Sequence, residues 1–151
     1  MKSVPTIEPA QSADAAAIRA LLRQADLPHE DFTAHLLHFL VAREDNAVVG
    51  LVGLEIYGAD ALLRSLVVTP THRANGLGCA LVREICALAE RRGVTRLFLL
   101  TTTATPFFER LGFTRLHRSE APPAIAASSQ FQGLCPASAV CLATRIEDVS
   151  P

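Results

Sequence analysis

Apolar residues recur along this chain with two different periods, and each change of period marks the boundary of an element. Thr6–Ile7 is predicted as a short edge strand. A helix follows from Ser12 to about Ala25, with Ser12 as its cap, Asp14 in its positive first turn and Ile18, Leu21 and Leu22 at helical spacing. Pro28 and the polar His29-Glu30-Asp31 break the pattern, and Asp31 to about His38 is expected to form a second short helix. Phe39–Arg43 and Val48–Tyr57 then alternate as the two strands of a hairpin around Glu44–Ala47.

Leu62–Val68 is nearly continuous in apolar residues and reads as a further strand, ended by Thr69-Pro70 because proline has no N–H for the ladder. From Gly76 a long amphipathic helix is predicted, with Leu77, Leu81, Ile85, Leu88 and Ala89 on one face and a stop at Arg91-Arg92-Gly93. Val94–Thr102 is a second buried strand, and Pro106–Leu111 a short helix closed by Gly112. Further strands are expected near Phe113–His117 and Ala139–Arg145. This order predicts an α/β fold: a mixed sheet with helices on both faces, in one domain spanning residues 1–151.

Composition narrows the function classes. A formal charge of -1, from 14 basic and 15 acidic residues, gives no overall field to gather phosphate backbones or anionic lipid, so neither nucleic acid nor a membrane surface is expected as a partner. No apolar run approaches the ~20 residues that span a bilayer, and the N-terminus has no apolar stretch behind Lys2, so a cytoplasmic location is expected. Cys79, Cys86, Cys135 and Cys141 lack CxxC spacing and read as reduced, mostly buried thiols, with no metal site.

The chemically informative segment is Leu66-Val-Val-Thr-Pro-Thr-His-Arg-Ala-Asn-Gly-Leu-Gly-Cys, a strand and a turn leading into a helix opened by Gly76 and Gly78. The first N–H groups of a helix have no internal partner and carry the positive end of its dipole, which suits a pyrophosphate. A P-loop would need Gly-Lys-Ser/Thr, and a dinucleotide fingerprint would need an earlier glycine within a βαβ unit; both are missing.

Arg73-Ala-Asn-Gly-Leu-Gly resembles the R/Q-x-x-G-x-G/A loop of the GNAT superfamily of N-acetyltransferases, and Phe107-Phe-Glu-Arg-Leu-Gly-Phe resembles the family's F-Y-x-x-x-G-F segment. The likeness runs from about Ile7 to Arg145 and implies a GNAT-like domain with a mostly antiparallel central sheet. It implies acetyl-CoA as co-substrate, with Leu66, Val67 and Val68 presenting backbone groups to the pantetheine arm. Arg73, Ala74, Asn75, Gly76, Leu77, Gly78 and Cys79 would then hold the pyrophosphate. The segments LLRSLVV, TTTATPFFERLGF and the tail from Ala121 also look like the N-acetyltransferases associated with arsenic-resistance gene clusters, a context that does not define the amine.

The expected reaction is direct attack of a small amino-acid-like amine on the thioester, and the tyrosine that the family often uses to protonate the leaving sulfur is here Phe108. That replacement keeps open a non-catalytic acyl-CoA sensor; a protein or peptide amine is the other alternative acceptor. Arg64 interrupts an apolar strand and needs an anion, which is either an acceptor carboxylate or Glu55 on the neighbouring strand. Glu55 in turn is a candidate base through water or simply Arg64's partner, and Ser65 offers a hydroxyl near the thioester. Among Thr101–Thr103, Thr102 is the candidate on the substrate side. The segment from Ser128 to Pro136 either closes over the acceptor, with Gln130 and Phe131 lining it, or is a surface loop with one apolar anchor. The five histidines are expected to face solvent or to be unremarkable, and the apolar edge at Ala139–Leu142 permits a homodimer.

Overall fold

The computed structural model describes residues 4–30, 32–134 and 137–150, leaving undescribed the side chains of Ala34 and Leu134. Seven strands build one sheet: β1 (Thr6–Pro9), β2 (Phe39–Glu44), β3 (Ala47–Tyr57), β4 (Asp60–Val68), β5 (Arg96–Thr101), β6 (Thr114–Leu116) and β7 (Val140–Arg145), in the order β1-β2-β3-β4-β5-β7-β6. Only β4 and β5 run parallel, joined by a crossover through α2 (Leu77–Arg91); every other neighbouring pair is antiparallel. Three more α-helices are found among the described residues, α1 (Ala15–Gln24), α3 (Thr105–Arg110) and α4 (Pro123–Ala126), with shorter helical turns between them.

The two faces of the sheet are filled differently. On one, Leu77, Leu81, Val82, Ile85 and Ala89 of α2 pack on Leu40, Val52, Leu54, Leu63 and Leu97, an apolar layer that holds most of the core. On the other, Ile18 and Leu22 of α1 cover Phe32, Phe39, Val41, Leu51 and Val67, while Ile125 of α4 sits on Leu62 and Phe98 as a separate cluster. Gly53 makes this second face possible: a Cβ there would stand 2.4 Å from the Phe39 ring, which lies flat against the strand.

The predicted order of elements is the order found, with two corrections. Ser12 lies inside a 3-10 turn, Ser12–Asp14, and Asp14 is the N-cap residue of α1. Ala139–Leu142, expected at an apolar edge open to a second copy, leads into β7, which pairs with both β5 and β6 inside the sheet. The β2–β3 hairpin closes through Asp45 and Asn46, both at positive φ (50° and 68°), the backbone of a tight two-residue turn. The expected helix before β2 is a 3-10 helix, Phe32–His38, and Asp31, proposed as its start, lies outside the described residues. Cys86 and Cys141 are buried thiols as expected, Cys79 is half-buried, and Cys135 lies outside the described residues.

A split sheet as the candidate functional site

β4 and β5 pair through only three positions, Asp60–Arg96, Ala61–Leu97 and Leu62–Phe98, and then part. The wedge between them opens into a cleft of about 890 Å3, lined by Leu63–Val68 on one side and Leu99–Ala104 on the other, with Phe108 and Ala139 also on its wall. A register change on the outer edge accompanies the split. Gly53 pairs with Arg64 and Leu51 with Val67, so β4 carries one residue more than β3 across this step. The extra residue is a β-bulge, and Ser65 within it takes φ +63°, a left-handed conformation that strains a non-glycine residue by about 1–2 kcal/mol.

Below the split, β4 runs into Thr69-Pro70 and the loop that opens α2. Gly76 is the N-cap residue of α2 at φ +79°, where glycine is favoured by conformation and not by crowding, since no atom lies within 4 Å of a built Cβ. Ala74 is also left-handed (φ +66°), and Arg73 folds back so that its Nε donates to the Val68 carbonyl at 3.1 Å. The Gly76 carbonyl receives the Ala80 N–H, so the amides of Leu77, Gly78 and Cys79 form the unpaired first turn. His72 braces the loop, with Nδ1 2.9 Å from Thr69 Oγ1 and Nε2 3.2 Å from Glu44 Oε1.

Beneath the sheet's second face lies a buried polar group centred on Arg64. Arg64 and Glu55 are 2% and 1% exposed, and Arg64 Nη1 donates to Glu55 Oε2 at 2.7 Å. Tyr57 Oη donates to the other carboxylate oxygen at 2.6 Å, and His35 Nε2 stands 3.7 Å from it. With its amide turned so that the oxygen faces the guanidinium, Gln130 accepts from Arg64 Nε at 3.1 Å and Nη2 at 3.3 Å. Arg64 Nε also donates to Ser65 Oγ at 3.0 Å, and the guanidinium lies 5.7 Å from the Phe39 ring centroid.

Of the residues singled out in the sequence, Arg64, Ser65, Leu66, Val67, Val68, Arg73 and Thr102 line the cleft, whereas Ala74–Cys79, which continue the chain from Arg73 into α2, are not among its lining residues. Between the two readings of Arg64, the geometry supplies the Glu55 pair: its positive charge is met inside the protein. Glu55 is not among the cleft-lining residues and is engaged by Arg64 and Tyr57. Phe131 is set apart from the cleft. It packs with Leu62, Phe98 and Ile125, its carbonyl receiving Arg118 Nη2 at 3.2 Å while the Arg118 guanidinium covers its ring. Gln130 likewise turns to Arg64 and not to the cleft. Thr101 is used locally, its Oγ1 accepting the Ala104 N–H at 3.0 Å, whereas Thr102 is exposed on the cleft wall.

Three features escaped the sequence reading. The segment from Arg23 to Glu30 forms an entire wall of the cleft, although Pro28 and the polar run after it had marked only a break. The histidines are less exposed than expected: His35 and His72 are half-buried beside Glu55 and Glu44, and burial with Arg92 nearby holds His38 below the usual imidazole range. Gln130 is the third; nothing local marks it as a partner of Arg64. Phe108 occupies the position noted for the missing tyrosine, edge-on to Phe107 and Phe113 at 5.0 and 5.4 Å.

Comparison with known proteins gives a consistent result. A family model described as Acetyltransferase (GNAT) domain matches residues 35–115. An uncharacterized N-acetyltransferase of Chlorobaculum tepidum is 31% identical over 97 residues, covering 64% of this chain and 62% of that protein. The amino-acid acetyltransferase of Escherichia coli is 28% identical over 102 residues, covering 64% of this chain and 23% of that protein. The chain thus spans under two thirds of the first relative and under a quarter of the second. Among solved structures, N-acetylglutamate synthase from Neisseria gonorrhoeae, complexed with coenzyme A and N-acetyl-glutamate, superposes with a TM-score of 0.83 at 24% identity, over 97% of this chain and 36% of that one. Rv2747 from Mycobacterium tuberculosis, in complex with CoA and NLQ, does so with 0.78 at 21% identity, over 93% and 99%.

Proposed function

This chain belongs to the GNAT acetyltransferase domain family, and from that premise we propose that it transfers an acetyl group from acetyl-CoA to the amine of a small amino-acid-like acceptor. The observation that carries the reading is the split itself: a strand edge without a ladder partner, leading directly into a helix start with unpaired amides. In this reading the exposed β4 edge at Leu66–Val68 pairs with the pantetheine amides, and the N–H groups from Ala74 to Cys79 receive the pyrophosphate. The acyl end then lies deepest, where β4 and β5 part.

The acceptor enters along the wall formed by residues 23–30, opposite Thr102. The amine attacks the thioester carbonyl directly, its proton passes to water at the open side, and the thiolate leaves without a tyrosine donor, since Phe108 supplies no hydroxyl. An amino-acid-like acceptor is favoured by the curated relatives that act on amino acids. The motif likeness to the arsenic-resistance-associated subgroup adds resistance to a metalloid or an antimetabolite as a physiological setting. Phe108 supports a second reading, in which the fold binds acyl-CoA as a sensor without turnover.

Thiol release from acetyl-CoA, measured across amino acids, amino-acid-like antimetabolites and short peptides, separates these readings. Turnover with a small amine bearing a carboxylate or similar oxyanion is expected. Acetyl-CoA binding with no release across the panel would favour the sensor, and turnover with peptides alone would overturn the choice of acceptor.

A further inference from the structure

We infer that Ser65 is the side-chain hydrogen-bond donor to the acyl carbonyl oxygen, with Arg64 as its positioning residue; the inference rests on the reading of the split as the acyl-CoA site. Arginine only donates, so in the 3.0 Å contact from Arg64 Nε the serine oxygen must be the acceptor. The single hydrogen on Oγ therefore points elsewhere, and among the described residues the contact from Arg64 is the one hydrogen bond of this side chain.

Where it is available is set by the bulge. Ser65 lines the cleft, is 9% exposed, and lies three residues beyond the last β4–β5 pair at Leu62, so it meets whatever reaches the deepest part of the split. Its left-handed backbone is the kind of local strain that surrounding structure must hold in place, and such strain concentrates where a side chain is aimed for a purpose.

Arg64 does the aiming. Glu55 fixes Nη1, Gln130 meets Nη2 and shares the single Nε hydrogen with Ser65, and the Phe39 ring covers the guanidinium, so the cation behind Ser65 Oγ is held in place from three sides. A fixed positive group donating to the serine oxygen draws electrons from it and strengthens its O–H as a donor. In the reaction the amine nitrogen bonds to the carbonyl carbon and the C=O π pair moves onto oxygen, where Ser65 Oγ–H stabilises it. On collapse the C–S bond breaks with its electron pair on sulfur, and the ammonium proton goes to water. Ser65 keeps its own proton throughout.

The test is isotope-edited infrared spectroscopy of [carbonyl-13C]acetyl-CoA bound to the wild type, Ser65→Gly and Arg64→Lys. Glycine suits the left-handed position, so Ser65→Gly should melt no lower than wild type and bind acetyl-CoA within about three-fold of it, and Ser65→Ala gives the same comparison should the glycine loosen the strand. The thioester carbonyl band is expected at lower frequency in wild type than in Ser65→Gly, with Arg64→Lys between, because lysine cannot hold Glu55 and present an N–H to Ser65 together. With any accepted amine, kcat should fall on the order of 100-fold in Ser65→Gly while the acceptor KM stays nearly constant. An unchanged band in a Ser65 variant that binds acetyl-CoA would overturn the assignment. A wild type that binds no acetyl-CoA would overturn the underlying reading instead.

Discussion

The two faces of this sheet solve different problems with the same strands. Under α2 lies the larger apolar cluster, Leu81 and Ile85 closing over Val52, Leu54 and Leu63. Under α1 and α4 the apolar layer is cut in two, and a fully buried arginine and glutamate fill the gap. A buried ion pair adds little net stability, because desolvation offsets most of the Coulomb gain. Among the described residues this pair stands on the face of α1 and α4, so that face carries a polar group at its centre where the other carries the larger apolar cluster.

Removing half of the pair should have the largest effect. Glu55→Ala leaves Arg64 charged and buried, and a loss of about 3–5 kcal/mol is expected in urea unfolding. The double variant Glu55→Leu with Arg64→Met should recover most of that stability while remaining a poor catalyst. Recovery of both would erase the distinction between the faces. On the α2 side, Leu81→Ala should cost about 3 kcal/mol by opening a cavity, with acetyl-CoA affinity little changed in the protein that remains folded.

A smaller effect is expected at Asp14, whose carboxyl is held below the usual range chiefly by hydrogen bonds from Arg43 and also by the Gln11 N–H. Because its folded pKa is depressed, the stabilisation is present above the ordinary value of 3.8 and is lost as pH falls through the folded value. Asp14→Asn should therefore cost about 1–2 kcal/mol near neutral pH, and the two melting curves should converge in acid. Gly76→Ala is expected to cost roughly 1 kcal/mol through its left-handed φ, and to weaken acetyl-CoA binding by disturbing the first turn of α2. The weakest signal is chemical: burial, helped by Glu90, pushes the Cys86 thiol up to about 11, so alkylation of Cys86 in the native protein at pH 8 should be far slower than after unfolding.

What the sequence made legible was local. The strand ended by proline, the glycine-opened helix and the alternating hairpin are each written within about ten residues, and together they predicted the sheet, its helices and the glycine turn that opens α2. The strain at Ser65 was not legible, because the bulge exists only as a mismatch between Leu51–Gly53 on β3 and Arg64–Val67 on β4. Gln130 reaches Arg64 from a distant segment for which no periodicity speaks. Phe131 reads from the sequence either as a residue lining the acceptor or as the apolar anchor of a surface loop, and its packing against Leu62 and Phe98 decides where it goes. The wall at residues 23–30 has the composition of any loop, and only its position opposite β4 makes it part of the site.

The central claim is that the split between β4 and β5, continued into the start of α2, receives acetyl-CoA. Amide hydrogen exchange with and without acetyl-CoA tests it directly. Protection concentrated in residues 66–68 and 74–79, with the β1–β2 pair and the far end at Glu90–Arg96 unchanged, is the predicted result. Protection confined to any other part of the sheet, or none at saturating acetyl-CoA, would contradict it.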